Sequence, residues 1–305
     1  MLTTLLASAI AVASLVSKTT EANLKVPVSE PVPSHQVILK NHKHLPPSKS
    51  TTLLLDKLLG SNPDESGTKQ AKSGGKFQVY YNPAKNPSYK AVEGIFSKSH
   101  MYEIVAAVLN KNIALPRNIA IVSTECGQAN AYYDPKHHAI VMCYELVGEF
   151  AKSAAPYAAT KTDLYRAIIG STLFTLYHEL GHTLIHELNL PAVGREEDAA
   201  DQLGVTFITA GGNSLGEIAL VAVARQFKER AMQTRPENLP YWDEHPLDQQ
   251  RYFNLICLLY GSNPSKYSTL PSLAGLPGGR ARQCPSEYQQ ATTSWLRLIQ
   301  LSQKS

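Results

Sequence analysis

The sequence predicts an α+β fold, a small sheet ending in an edge hairpin and followed by a mostly helical half. Two patterns carry this expectation. β-Rich runs cluster between Lys76 and Leu146, and from Asp163 onward the apolar residues fall at helical spacing between start and stop signals. Composition agrees: 43% hydrophobic and 18% charged residues in a chain of 305 describe a globular protein with enough length to bury a core.

Taken in order, Leu5 to Val16 is an apolar run of 12 residues, and Thr20 to Ala22 offers small residues for cleavage before Asn23. Residues 1–22 are therefore expected to be a cleaved signal peptide, the run being too short to span a bilayer. Residues 23–75 are rich in Pro, Ser and Lys and read as a linker or arm, with one short helix expected over Thr51 to Gly60. His35, His42 and His44 lie in that arm and read as solvated.

The globular domain is expected over 76–305. Lys76 to Tyr81 is a strand, 88–111 a helix, and Arg117 to Cys126 a second strand. Ala129 to Leu146 forms a hairpin around Asp134-Pro135. Helices follow from Asp163 to about Leu188, before Pro191, and from Glu196 to Thr209, before Gly211-Gly212. Ser214 to Glu217 is a capping box opening a third helix, and two more are expected near 245–260 and 284–302.

The formal charge of +4 is mild and its cations are dispersed, which argues against a nucleic-acid partner. No later segment is long and apolar enough for a stable membrane span once the signal is cleaved. The four cysteines, an even number, fit an exported, oxidising setting, periplasmic or secreted. Of the three possible pairings, Cys126–Cys143 is favoured because a hairpin separates them, and Cys257–Cys284 because it would tie two late helices. Metal ligation by cysteines is disfavoured, since no C-x-x-C spacing occurs.

The chemistry concentrates in "HELGHTLIHE", His178 to Glu187. On a helix, His178 and His182 fall at i and i+4, on one face and about 6 Å apart along the axis. Two neutral imidazoles so placed can reach one zinc ion, and Glu179 projects beside them to take a proton from a metal-activated water. His186 lies one turn further, about 12 Å from His178, and a straight helix cannot bring all three onto one ion. The third ligand is better sought on the next helix, "REEDAADQLG". Glu197 and Asp201 share one face there, while Ala199 and Ala200 permit close approach to a neighbour. Glu197 can complete a His-His-Glu set, and Asp201 can accept the other ring N–H of a ligand histidine.

H-E-x-x-H followed by E-x-x-x-D on the next helix resembles the gluzincin pattern of thermolysin-like and HtpX-like peptidases. More narrowly, "YHELGHTLIHELNLPAVGREEDAADQL" is similar to a sequence-defined family of exported bacterial metallopeptidases, over roughly residues 75–303. The resemblance implies a zincin-like fold and Zn2+ held by His178, His182 and Glu197, with Glu179 as general base and Asp201 behind the ligands. "NAYYD" resembles the edge strand that holds substrate in thermolysin-like enzymes, which would put Asn130 and Ala131 on the substrate backbone. "EHPLDQQR" resembles the H-P-x-x-x-x-R segment of HtpX-like peptidases. It offers His245 as the oxyanion donor, with Tyr241 and Tyr252 as fallbacks, and Arg251 to orient it or bind substrate.

The spacing from His182 to Glu197 is shorter than in thermolysin, and the HtpX-like membrane helices are absent, so the specificity pocket is expected to differ. The resulting expectation is zinc-dependent hydrolysis of a peptide or protein substrate. Two rivals stand beside it, a non-catalytic binding or assembly protein on the same scaffold and a hydrolase of a non-peptide amide.

Overall fold

The computed structural model describes residues 48–59, 74–210 and 214–303. The expected signal peptide, most of the arm and the side chain of Ser214 at the capping box lie outside them. In chain order the helices are α1 (Lys49–Leu59), α2 (Pro87–Ser99), α3 (Met101–Asn112), α4 (Tyr144–Ala154), α5 (Lys161–Glu187), α6 (Glu196–Ala210) and α7 (Ser214–Gln233). They continue with α8 (Asp248–Ser262), the short α9 (Leu270–Ala274) and α10 (Gly278–Ala281), and α11 (Cys284–Ser302). The strands are β1 (Phe77–Tyr81), β2 (Ile119–Thr124), β3 (Ala131–Asp134) and β4 (Ala139–Cys143), giving an α+β architecture with one small mixed sheet.

The sheet order is β1-β2-β4-β3, with β1, β2 and β4 parallel and β3 antiparallel to β4. The inner strands "IAIVST" and "AIVMC" are buried at every residue, which explains their near-continuous apolar runs. Among the described residues β3 pairs on one side only, so it is an edge. Its hairpin closes through Asp134, whose Oδ1 accepts from the backbone N–H groups of Lys136 (2.9 Å) and His137 (3.3 Å), an Asx turn.

Alternate residues of the strands face opposite sides. Ile119, Ile121, Ile140 and Met142 join the main core with α3 and α5, while Ala120, Val122, Ala139 and Val141 face the other way. That second face is covered by α1, whose Leu55 is fully buried against them. Asp56 then accepts from His137 Nε2 (2.9 Å) and Lys136 Nζ (3.1 Å). The arm thus contributes a packed helix.

Two local expectations differ from the structure. The single helix over 88–111 is two, broken at His100, which takes a left-handed φ of 52° between α2 and α3. No Gly or Pro marks that break, so periodicity runs across it. The hairpin also stops at Cys143, and "YELVGEFAKSA" is helical. Its first residues are aromatic and apolar, and they read as strand until the core claims Tyr144, Val147 and Phe150.

α5 is the organising element. It begins where Thr160 and Asp163 form a capping box and runs for 27 residues. From Ile168 to Ile185 almost every residue is buried, as befits a helix surrounded by the sheet, α6 and α7. Gly181 faces Ala200 of α6 so closely that a Cβ there would lie 2.8 Å from Ala200 Cα. The sulfurs of Cys126 and Cys143 lie at disulfide distance, as do those of Cys257 and Cys284, and the second pair ties α8 to α11.

Candidate metal centre

His178, Glu179 and His182 sit in the buried stretch of α5, and Glu197 and Asp201 on the facing side of α6. Because α6 runs back along α5 at the Gly181–Ala200 contact, their polar ends converge. His178 Nε2 is 3.1 Å from Glu197 Oε2, His182 Nε2 is 3.3 Å from Glu197 Oε1, and the two Nε2 atoms are 3.3 Å apart. A tetrahedral ion with bonds of about 2.0–2.1 Å holds its donors ~3.3 Å apart, and these separations are of that size, so the residues present suit a metal ion of that kind. Glu179 Oε2 is buried with no hydrogen-bond partner in the protein, which fits a carboxylate kept for a ligand or water.

Each ring is held from behind. Asp201 Oδ1 lies 2.8 Å from His178 Nδ1, and Glu196 Oε1 lies 2.6 Å from His182 Nδ1. Arg251 grips Asp201 with two bonds, Nε to Oδ2 (2.8 Å) and Nη2 to Oδ1 (2.7 Å), while its guanidinium lies 4.2 Å over the Phe227 ring. Such backing fixes the tautomer that turns Nε2 toward the centre.

Burial disfavours the cationic ring of His178. The hydrogen bonds and charges of Asp201 and Glu197 outweigh it, and the ring is pushed up to about 9. His182 is likewise opposed by burial, but Glu196 and Glu197 push it up to about 10. Burial would raise Asp201, yet the Arg251 charge and the His178 bond hold it well below the usual carboxylate range.

His245 reaches the same place from the loop before α8. Its Nε2 is 3.0 Å from Glu197 Oε2, and its Nδ1 lies 3.1 Å from Asp243 Oδ1. Donor atoms of His178, Glu197 and His245 all lie within 4.8 Å of one another, so His245 belongs to the same candidate metal cluster. His186 is half-exposed outside the cluster, 3.4 Å from Glu196 through Nε2. The fallback donors are elsewhere: Tyr241 is exposed, and the Tyr252 hydroxyl donates to Ala274 O at 3.0 Å.

A cleft opens beside these groups. Asn130 and Ala131, at the start of the edge strand, line it together with His178, Glu179 and His245. Asn130 Nδ2 is buried without a hydrogen-bond partner in the protein. Leu146, Phe150, Phe174, Val223 and Phe227 give the cleft an apolar wall. Arg251 also lines the cleft, but with its guanidinium committed to Asp201.

Sequence reasoning missed Glu196, Asp243 and that apolar wall. Glu196 was legible only as one more acid in a helix's first turn, where acids are common for dipole reasons. Asp243 stands two residues before His245, and that short spacing is the one signal that could have found it.

The chain belongs to the family DUF4344, described as "Putative metallopeptidase", which it matches over residues 81–299. That match includes every strand and helix around the cleft. No curated protein and no solved structure matches the chain. That description implies a peptidase that uses a metal ion and acts on a protein or peptide substrate. Among the described residues no helix is long and apolar enough to cross a membrane.

Proposed function

We propose that this protein is an exported zinc peptidase of the gluzincin type, on a zincin-like scaffold, that hydrolyses peptide bonds in extended substrates. The observation that carries the reading is the meeting of His178 Nε2, His182 Nε2 and Glu197 within 3.3 Å, beside a Glu179 oxygen with no protein partner. Zinc bound there supplies Lewis acidity, polarising a scissile carbonyl and acidifying a water toward a pKa of about 7.

The chain's own groups do the rest. An extended peptide adds to the open edge of β3, with Asn130 Nδ2 and the Ala131 backbone as partners. Glu179 Oε2 takes the proton of the attacking water and passes it to the departing amine. His245 donates from Nε2 to the oxygen that gains charge, and Asp243 at Nδ1 orients the ring. Asp201 and Glu196 hold the two ligand rings, and Arg251 keeps Asp201 ionised. The disulfides suit the oxidising compartment that export implies.

The test is Glu179→Gln in the zinc-loaded chain. Metal content should match wild type while peptide cleavage falls about a hundred- to ten-thousandfold, the scale of a lost general base. Undiminished cleavage would remove Glu179 from the mechanism. One observation favours a second reading. If His245 ligates together with His178, His182 and Glu197, four protein donors close the ion, as in structural zinc sites. A wild-type protein that holds zinc yet cleaves no peptide in a random library would select that reading.

A further inference from the structure

Glu187 closes α5, and its placement is costly on two counts. Its side chain is 4% exposed, and it stands at the negative end of a 27-residue helix. The carboxylate is stabilised there by donors from three separate segments. Tyr133 donates its hydroxyl from β3, His138 Nδ1 lies at 2.5 Å from the hairpin turn, and Arg117 Nε at 3.5 Å precedes β2. His138 holds this contact in a left-handed conformation, φ 50°, uncommon for a non-glycine residue, and Arg117 Nη1 meets its other ring nitrogen at 3.0 Å.

A second thread leaves the same point. The His186 ring packs on Tyr133, with centroids 5.7 Å apart. Its Nε2 lies 3.4 Å from Glu196 Oε1, the oxygen that holds His182 Nδ1 at 2.6 Å. The third histidine of the motif therefore connects the edge strand to the carboxylate behind a candidate metal ligand.

We propose that Glu187 is a positioning residue which, with Tyr133 and His186, locks the edge strand in register against the metal helix. The inference rests on the peptidase reading above and names what sets its substrate geometry. Glu187 is about 12 Å along α5 from Glu179, and Tyr133 is about 7 Å along β3 from Ala131. The strand thus lies beside the helix with its cleft end at Glu179 and its anchored end at Glu187. A peptide that pairs with β3 takes its register from that strand. Its carbonyl meets the centre only while β3 cannot slide along α5. A short substrate that makes no use of β3 is indifferent to this lock.

The experiment compares wild type, Tyr133→Phe and Glu187→Gln as full-length, zinc-loaded proteins. One substrate is a peptide of about eight residues, long enough to pair along β3, and the other is a blocked dipeptide amide. Because ~1 Å of misplacement can cost about a hundredfold, the ratio of kcat/KM for long over short substrate should fall about 10- to 100-fold in both variants. The loss should sit mainly in kcat, with zinc content and helical circular dichroism equal to wild type. Equal loss on both substrates, or no loss, overturns the positioning role while leaving the peptidase reading intact. A wild type that cleaves neither substrate overturns the peptidase reading, and this inference with it. Should Glu187→Gln fail to fold, Tyr133→Phe carries the test alone, since it removes one hydroxyl and keeps the ring on His186.

Discussion

Replacing Gly181 by alanine tests whether helix contact, and not the motif alone, builds the proposed metal centre. The added methyl would lie 2.8 Å from Ala200 Cα and 3.0 Å from its Cβ, where ordinary contact begins at 3.4 Å. The neighbour is backbone on a buried helix and cannot swing aside. α5 and α6 must therefore part by at least about 0.6 Å, the difference between 3.4 and 2.8 Å. Overpacking of this kind costs about 1–3 kcal/mol. Alanine's helix propensity returns about 1 kcal/mol, so the net loss should be about 0–2 kcal/mol and a fall in Tm of a few degrees. The metal is the more sensitive reporter. Glu197 and Asp201 ride on the displaced helix, and ligand distances tolerate only about 0.2 Å. Zinc affinity should fall about 10- to 100-fold. Competition against a chromophoric chelator measures it, with Tm recorded on metal-free protein. Gly170→Ala is the control: its methyl would meet Ala219 Cα of α7 at 2.6 Å, so it should lower Tm and spare zinc affinity. Wild-type zinc affinity in Gly181→Ala would refute the argument.

Two further outcomes follow from the same geometry. In the metal-free protein the neighbouring carboxylates push His178 up to about 9 and His182 up to about 10, so the pair holds proton at neutral pH. Ligation needs neutral rings, so at pH 7 metal binding should release protons, and apparent affinity should rise with pH and weaken in acid. Calorimetry in buffers of different ionisation heat counts those protons, and binding with no release would contradict the assigned ligands. Leu55→Ala should weaken the docking of α1 by about 2–5 kcal/mol, as for other fully buried leucines. Amide exchange over 49–59 should then accelerate while α5 stays protected, and unchanged exchange in α1 would mean that Leu55 does not hold it.

The sequence alone determined what is encoded by near neighbours in the chain. The i, i+4 pair His178 and His182, the shared face of Glu197 and Asp201, the apolar β2 and β4 runs and the Asp134 turn are local spacings, and each keeps its face wherever the element packs. Both favoured cysteine pairings are found, Cys126–Cys143 expected from the hairpin between them and Cys257–Cys284 as a tie between two late helices. Only the tertiary structure decided how elements rotate and approach. Glu196 and Glu197 are adjacent acids about 100° apart on one helix. The turn of α6 against α5 at Gly181 and Ala200 sends Glu197 to the centre and Glu196 behind His182. The arrival of His245 and Asp243 from a distant loop, the break at His100 and the helical fate of Tyr144–Ala154 were settled in the same way. All of them depend on which surfaces bury one another, and residue spacing along a chain carries no record of that.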